Sequence, residues 1–135
     1  MSATTLPARD ALRIARAFLP ARWYGNRYHY YYTRAKLRSD PLYPGVIDAL
    51  RATTRPVLDL GCGIGLLAHA LRAAGVSLPY RGVDNDAAKI ANATRAAHRA
   101  ALPDVAFDVI DLAAGVPAHS GSVVILDVLQ FVPPD

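Results

Sequence analysis

Four aspartates stand where four short apolar runs end: Asp59, Asp84, Asp111 and Asp127. Carboxylates accept hydrogen bonds from hydroxyls and amino groups, attract ammonium ions and repel phosphates. Helix capping explains Asp86 well and Asp84 in part. It does not explain Asp59, which lies inside its apolar run. Directly after that run comes Gly61-Cys62-Gly63-Ile64-Gly65. Glycines there allow a tight turn and let a ligand approach the backbone, and free amides at a helix start face an anionic group. The dinucleotide pattern G-x-G-x-x-G, counted from Gly61, fails at its sixth position, where Leu66 stands. Asp59 would also repel a pyrophosphate. The residues therefore suit a nucleoside that carries hydroxyls and a cation.

These residues need elements to bring them together. Val57-Leu58-Asp59-Leu60 reads as a buried strand that opens, through the glycines, into a helix from Leu66 to Ala74 closed by Gly75. Tyr80 to Val83 is a second strand ending at Asp84, followed by an alanine-rich helix from Asp86 to Ala101. Val105 to Ile110 is a third strand, ending at Asp111. After a polar link over 112–121, Ser122 to Leu126 is a fourth, ending at Asp127. This alternation predicts an α/β fold with a parallel sheet and right-handed crossovers, whose strand ends converge on one crevice. Upstream, Arg9 to Leu19 reads as an amphipathic helix stopped by Pro20. Asn26 to Arg38 is a tyrosine-dense helix, and a third helix runs from Pro41 or Pro44 to Ala52. The expected organisation is a helical cap over 1–56 and a binding unit over 57–135.

The motifs carry a resemblance. Val57-Leu58-Asp59-Leu60-Gly61-Cys62-Gly63-Ile64-Gly65 is similar to the first motif of class I, Rossmann-like, S-adenosylmethionine-dependent methyltransferases. Gly82-Val83-Asp84-Asn85-Asp86 resembles their second motif and Asp108-Val109-Ile110-Asp111-Leu112 their third. The run Val123 to Pro133 resembles the fourth, with Gln130 where a histidine is often found. The resemblance covers 57–133 and implies S-adenosylmethionine as cofactor and a small-molecule methyl acceptor, carrier-bound or aromatic. It implies that Asp59 and the turn Gly61, Cys62, Gly63 and Gly65 hold the methionine ammonium and carboxylate. Asp84 would take the ribose hydroxyls and Asn85 would flank the adenine. Asp111 and Leu112 would meet the adenine's amino edge, and Asp127 and Val128 the methionine part. The family's sheet has seven strands. This chain supplies those in spatial order 3-2-1-4, so 57–135 is expected to be the cofactor-binding half of a longer domain and to catalyse little alone. The open edge of the fourth strand would invite pairing with another copy.

Methyl transfer asks mainly for alignment, and a base only when the acceptor must lose a proton. No catalytic residue is assigned; His29 is the candidate of the N-terminal region. Within Tyr28-His29-Tyr30-Tyr31-Tyr32, Tyr28, Tyr31 and Tyr32 are expected to share one face, packing the helix onto the sheet or touching an aromatic acceptor. Cys62 reads as a small residue for a tight loop, and His69 and His98 as solvent-facing. Up to Pro56, ten basic residues face three aspartates, leaving +7, and the remainder carries −3. A basic half solvates itself or attracts an acidic carrier, a lipid surface or RNA. RNA or protein methyl transfer and a non-catalytic assembly module therefore stay as alternatives. No apolar run approaches the roughly 20 residues of a membrane span, no secretory signal is recognisable, and no metal site is expected. The single cysteine fits a reducing cytoplasm.

Overall fold

Short apolar runs separated by helices fold here into the parallel sheet they predict. The computed structural model describes residues 6–20, 25–40 and 42–126. Three helices come first: α1 (Ala8–Arg16), α2 (Tyr28–Ser39) and α3 (Leu42–Leu50). Then β1 (Val57–Leu60), α4 (Leu66–Ala73), β2 (Tyr80–Asp84), α5 (Ala87–Arg99) and β3 (Val105–Val109) alternate. A 3₁₀ turn (Leu112–Ala114) precedes β4 (Ser122–Val124). The strands pair in parallel in the order β3-β2-β1-β4.

Alternate side chains divide the sheet into two faces. Val57 and Tyr80 join the main core, built with Ile14, Leu37, Leu67 and Leu71 of the helices. Leu58, Leu60 and Val83 form a second cluster on the other face, against Ile110 and Leu112. On that face Val123 and Ile125 are exposed. Among the described residues β4 pairs only with β1.

Two expectations are corrected. His69 does not face solvent. It is 2% exposed and its ring packs against Phe18 at 5.3 Å. The apolar face of α4 is wider than its sequence suggests, because α1 lies across it. The tyrosines of α2 do not pack that helix onto the sheet. Its buried residues are Thr33 and Leu37, while Tyr28, Tyr31 and Tyr32 are exposed. Nor do the three share a surface. Tyr28 and Tyr32, one turn apart, stack at 5.9 Å, whereas Tyr31 lies in a separate groove against α1.

Candidate cofactor cleft

The carboxyl ends of the strands, the glycine turn and the start of α2 enclose a cleft of about 590 Å³, within the roughly 300–1,000 Å³ of small-molecule sites. Of the residues singled out in the sequence, Gly61, Cys62, Gly63, Asp84, Asn85, Asp111 and Leu112 line it. The parallel register explains this convergence. Leu60 pairs with Val83 and Asp84 with Val109, so the glycine turn, Asp84 and the Asp111 loop leave the sheet side by side.

Asp84 organises the cleft. Its Oδ2 accepts from the Gly63 amide and its Oδ1 from the Asp86 amide, both at 2.9 Å. Asp86 in turn caps α5, accepting from the amides of Ala88 and Lys89. Asp111 caps the 3₁₀ turn through the Ala113 amide. A carboxylate has about four acceptor positions, so Asp84 and Asp111 retain capacity for ligand hydroxyl or amino groups.

The turn departs from expectation in one respect. Its amides were expected to be free for an anion. Instead, those of Gly61 and Cys62 donate to Val83 O, that of Gly63 to Asp84, and that of Gly65 to Cys62 O. The turn is short, so closing it against the end of β2 uses these donors internally.

Asp59 and Gly65 do not line the cleft. Asp59 is 2% exposed, and its Oδ2 accepts from the Tyr80 hydroxyl at 2.6 Å. Burial, then the Asp59 charge, pushes the Tyr80 phenol well above its ordinary range, so it keeps its proton and donates. Gly65 has φ +82°, and a Cβ there would stand 2.6 Å from the Phe107 ring. Gly63, at φ +59°, has nothing within 4 Å of such a Cβ. The thiol of Cys62 is raised by burial and by the charges of Asp59 and Asp84, which removes it as a nucleophile. Asp127 and Val128 lie outside the described residues.

The cap side of the cleft brings residues the sequence reading did not assign to it. Lys36 and Tyr43 line it beside Tyr28, His29 and Tyr32; Lys89 and Asp86 come from the start of α5. The spacing 28, 32, 36 was the available signal, since residues four apart share a helix face. Lys36 forms an ion pair with Asp40 at 2.7 Å. His29 sits 3.4 Å from the Asn92 amide, and its buried Nδ1 has no partner. Burial, with Arg95 and Lys89 adding to it, lowers its pKa below 6.5, so the ring is neutral at pH 7. Among the described residues no group of side chains has the makings of a metal site.

Comparison with known proteins decides the family. Residues 57–135 match the family model described as "Methyltransferase domain". The chain belongs to the methyltransferase-domain family. The strand order and the glycine turn are those of its class I, S-adenosylmethionine-dependent members. No curated protein sequence matches. Among solved structures, a magnesium protoporphyrin IX methyltransferase from Synechocystis PCC 6803 with bound SAM is similar at TM-score 0.60 and 24% identity, over 92% of this chain and 64% of that one. With bound SAH, the same enzyme gives TM-score 0.56 and 25% identity, over 87% and 52%. A coclaurine N-methyltransferase bound to N-methylheliamine and SAH gives TM-score 0.54 and 14% identity, over 93% and 37%. The chain thus spans between 37% and 64% of the length of these three. Among the described residues no helix is long and apolar enough to cross a membrane.

Proposed function

We propose that this chain binds S-adenosylmethionine in the cleft and supplies the cofactor-binding half of an enzyme that methylates a small molecule. The observation that carries the reading is the place of Asp84. It sits at the end of β2, ties the glycine turn to the start of α5, and has acceptor positions left for a pair of ribose hydroxyls. The donor set fits the rest of the ligand. Asn85, Asp111 and Leu112 stand where the adenine edge needs acceptors, donors and an apolar face. Gly61, Cys62 and Gly63 leave open space above the turn for the methionine part. With the amides of Gly61, Cys62, Gly63 and Gly65 engaged, Lys36 and Lys89 on the cleft wall add positive charge for its carboxylate. Asp59, beneath the turn, contributes negative charge toward the cofactor's cationic end; Gly65 contributes by letting Phe107 support the turn. Asp127 and Val128 keep the roles the motif gives them. Three carboxylates on one wall disfavour a pyrophosphate.

The chemistry the cofactor supplies when bound is an electrophilic methyl group on sulfur. The protein's task is to hold the reactants aligned and to exclude water. Tyr28 and Tyr32, exposed and stacked at the rim, present aromatic faces to an acceptor, which favours one with an aromatic or conjugated body. Where the acceptor must lose a proton, His29, neutral and on the cleft wall, is the group placed to take it. The edge of β4, which among the described residues pairs only with β1 and has Val123 and the following Ile125 exposed, is where a further strand or a second copy adds. With its one cysteine held as a thiol, the protein suits the cytoplasm.

Titration calorimetry of S-adenosylmethionine and of NAD against this chain tests the reading. The first binds and the second does not, and Asp84→Ala weakens S-adenosylmethionine by more than about tenfold, as loss of a charge-assisted clasp requires. Equal affinity in the variant removes Asp84 from its role, and preference for NAD removes the reading.

A further inference from the structure

Up to Pro56 the chain sets ten basic residues against three aspartates, and the fold gathers part of that excess into one groove. Between α1 and α2 runs a groove of about 510 Å³, lined by Arg9 and Leu12 of α1, by Tyr31, Arg34 and Arg38 of α2, and by alanines of both helices. Spacing explains the share of α2, since residues 31, 34 and 38 fall on one helix face. Tyr28, Tyr32 and Lys36, on another face of the same helix, line the cofactor cleft instead.

No acidic residue lines the groove, and among the described residues none of its three arginines pairs with a carboxylate. Arg9 is exposed. Arg34 lies 5.6 Å from the centroid of the Tyr30 ring. Arg38 gives one N–H to Leu6 O at 2.7 Å. A guanidinium has five such donors, and a carbonyl does not cancel its charge. Three like charges along one groove repel each other until an anion lies among them.

Tyr31 is the second observation. It is 58% exposed in this groove. It meets Tyr30 in a T-shaped contact at 5.0 Å, so the two rings do not cover each other face to face. An aromatic ring left in water beside guanidiniums without counter-charges is the pairing with which proteins hold single strands: cations for the phosphates, a ring for a base.

We propose that the α1–α2 groove binds single-stranded nucleic acid, with phosphates at Arg9, Arg34 and Arg38 and a base stacked on Tyr31. An acidic peptide would answer the same charges, but its carboxylates bring no π face to Tyr31, whereas every nucleotide does. A groove between two helices also suits a chain better than a flat lipid surface. The site is separate from the cofactor cleft and independent of its assignment.

The test is fluorescence anisotropy of the full chain with a labelled oligouridylate of about ten nucleotides. Affinity falls as salt rises, with a log–log slope of about −2, as three phosphate contacts on a single strand require. Arg34→Ala makes that slope shallower by about 0.7. Tyr31→Ala weakens binding by about tenfold, and Tyr31→Phe, which keeps the ring, does not. Both positions are exposed, so these variants keep the fold. An oligoglutamate of equal charge binds more weakly than the oligouridylate by about tenfold, for want of the stacked base. An unchanged slope in Arg34→Ala places the nucleic acid elsewhere, and unchanged affinity in Tyr31→Ala removes the stacking; either result overturns the proposal. Oligoglutamate bound as tightly as oligouridylate replaces nucleic acid with an acidic protein, and no binding at low salt removes the site.

Discussion

Tyr80 donates its hydroxyl to Asp59 at 2.6 Å between neighbouring parallel strands, both side chains being all but excluded from water. The pair sits directly beneath the glycine turn. It places an acidic group under the cofactor cleft without exposing it there.

Tyr80→Phe therefore takes one donor from a buried carboxylate. Hydrogen bonds to charged groups contribute about 1.5–3 kcal/mol, so the variant loses stability of that order, read from urea unfolding. Affinity for S-adenosylmethionine changes much less than in Asp84→Ala, because neither Tyr80 nor Asp59 lines the cleft. A variant as stable as the parent means that the Tyr80–Asp59 bond carries no weight.

Gly63 and Gly65 share a left-handed backbone but differ in what surrounds them. Gly65→Ala drives a methyl group into Phe107 at 2.6 Å, adding overpacking of about 1–3 kcal/mol to the left-handed cost of about 1–2 kcal/mol. Gly63→Ala bears only the second cost, but its methyl projects into open space beside the ligand. Thermal melting and calorimetry on the two variants separate these effects. Gly65→Ala lowers stability more, and Gly63→Ala lowers cofactor affinity out of proportion to its stability.

Arg72 gathers four carbonyls from the two loops that lead into β2 and β3. A planar guanidinium spans that spread and a single ammonium does not. Arg72→Lys thus fails to restore what Arg72→Ala loses, and both destabilise by about 2 kcal/mol or more. Chemical denaturation of the pair checks this; full rescue by lysine contradicts it.

His69 also sets a pH limit. Burial lowers its pKa from 6.5 to about 4, so between those values the unfolded chain binds a proton that the folded chain does not. Stability is complete above about pH 6.5 and falls as the pH drops toward 4, by roughly 1.4 kcal/mol per unit. The total is on the order of 2–3 kcal/mol. His69→Gln flattens this part of the profile in urea unfolding between pH 4 and 7. An unchanged slope in the variant assigns the acid sensitivity to other groups.

The sequence by itself determined the sheet and the cleft. Apolar runs with aspartates at their ends, glycines between strand and helix, and an acid about 20 residues further on are local patterns, and a parallel sheet turns them into one rim. Asp84, Asp111 and Gly63 were legible for that reason. The tertiary structure decided what lies on each side of that rim. Asp59 reads as a ligand-facing acid until Tyr80, 21 residues away, is found to hold it. Gly65 reads as a ligand contact until Phe107, from β3, is seen packed over it. The amides of Gly61, Cys62 and Gly63 read as free until the end of β2 takes them. His69 reads as exposed until α1 crosses α4, and Tyr31 parts from Tyr28 and Tyr32 because α1 lies on one side of α2 and the cleft on the other. Periodicity fixes which side chains share a face of an element. Which element covers that face depends on contacts between residues far apart in the chain, and these form only when the chain packs.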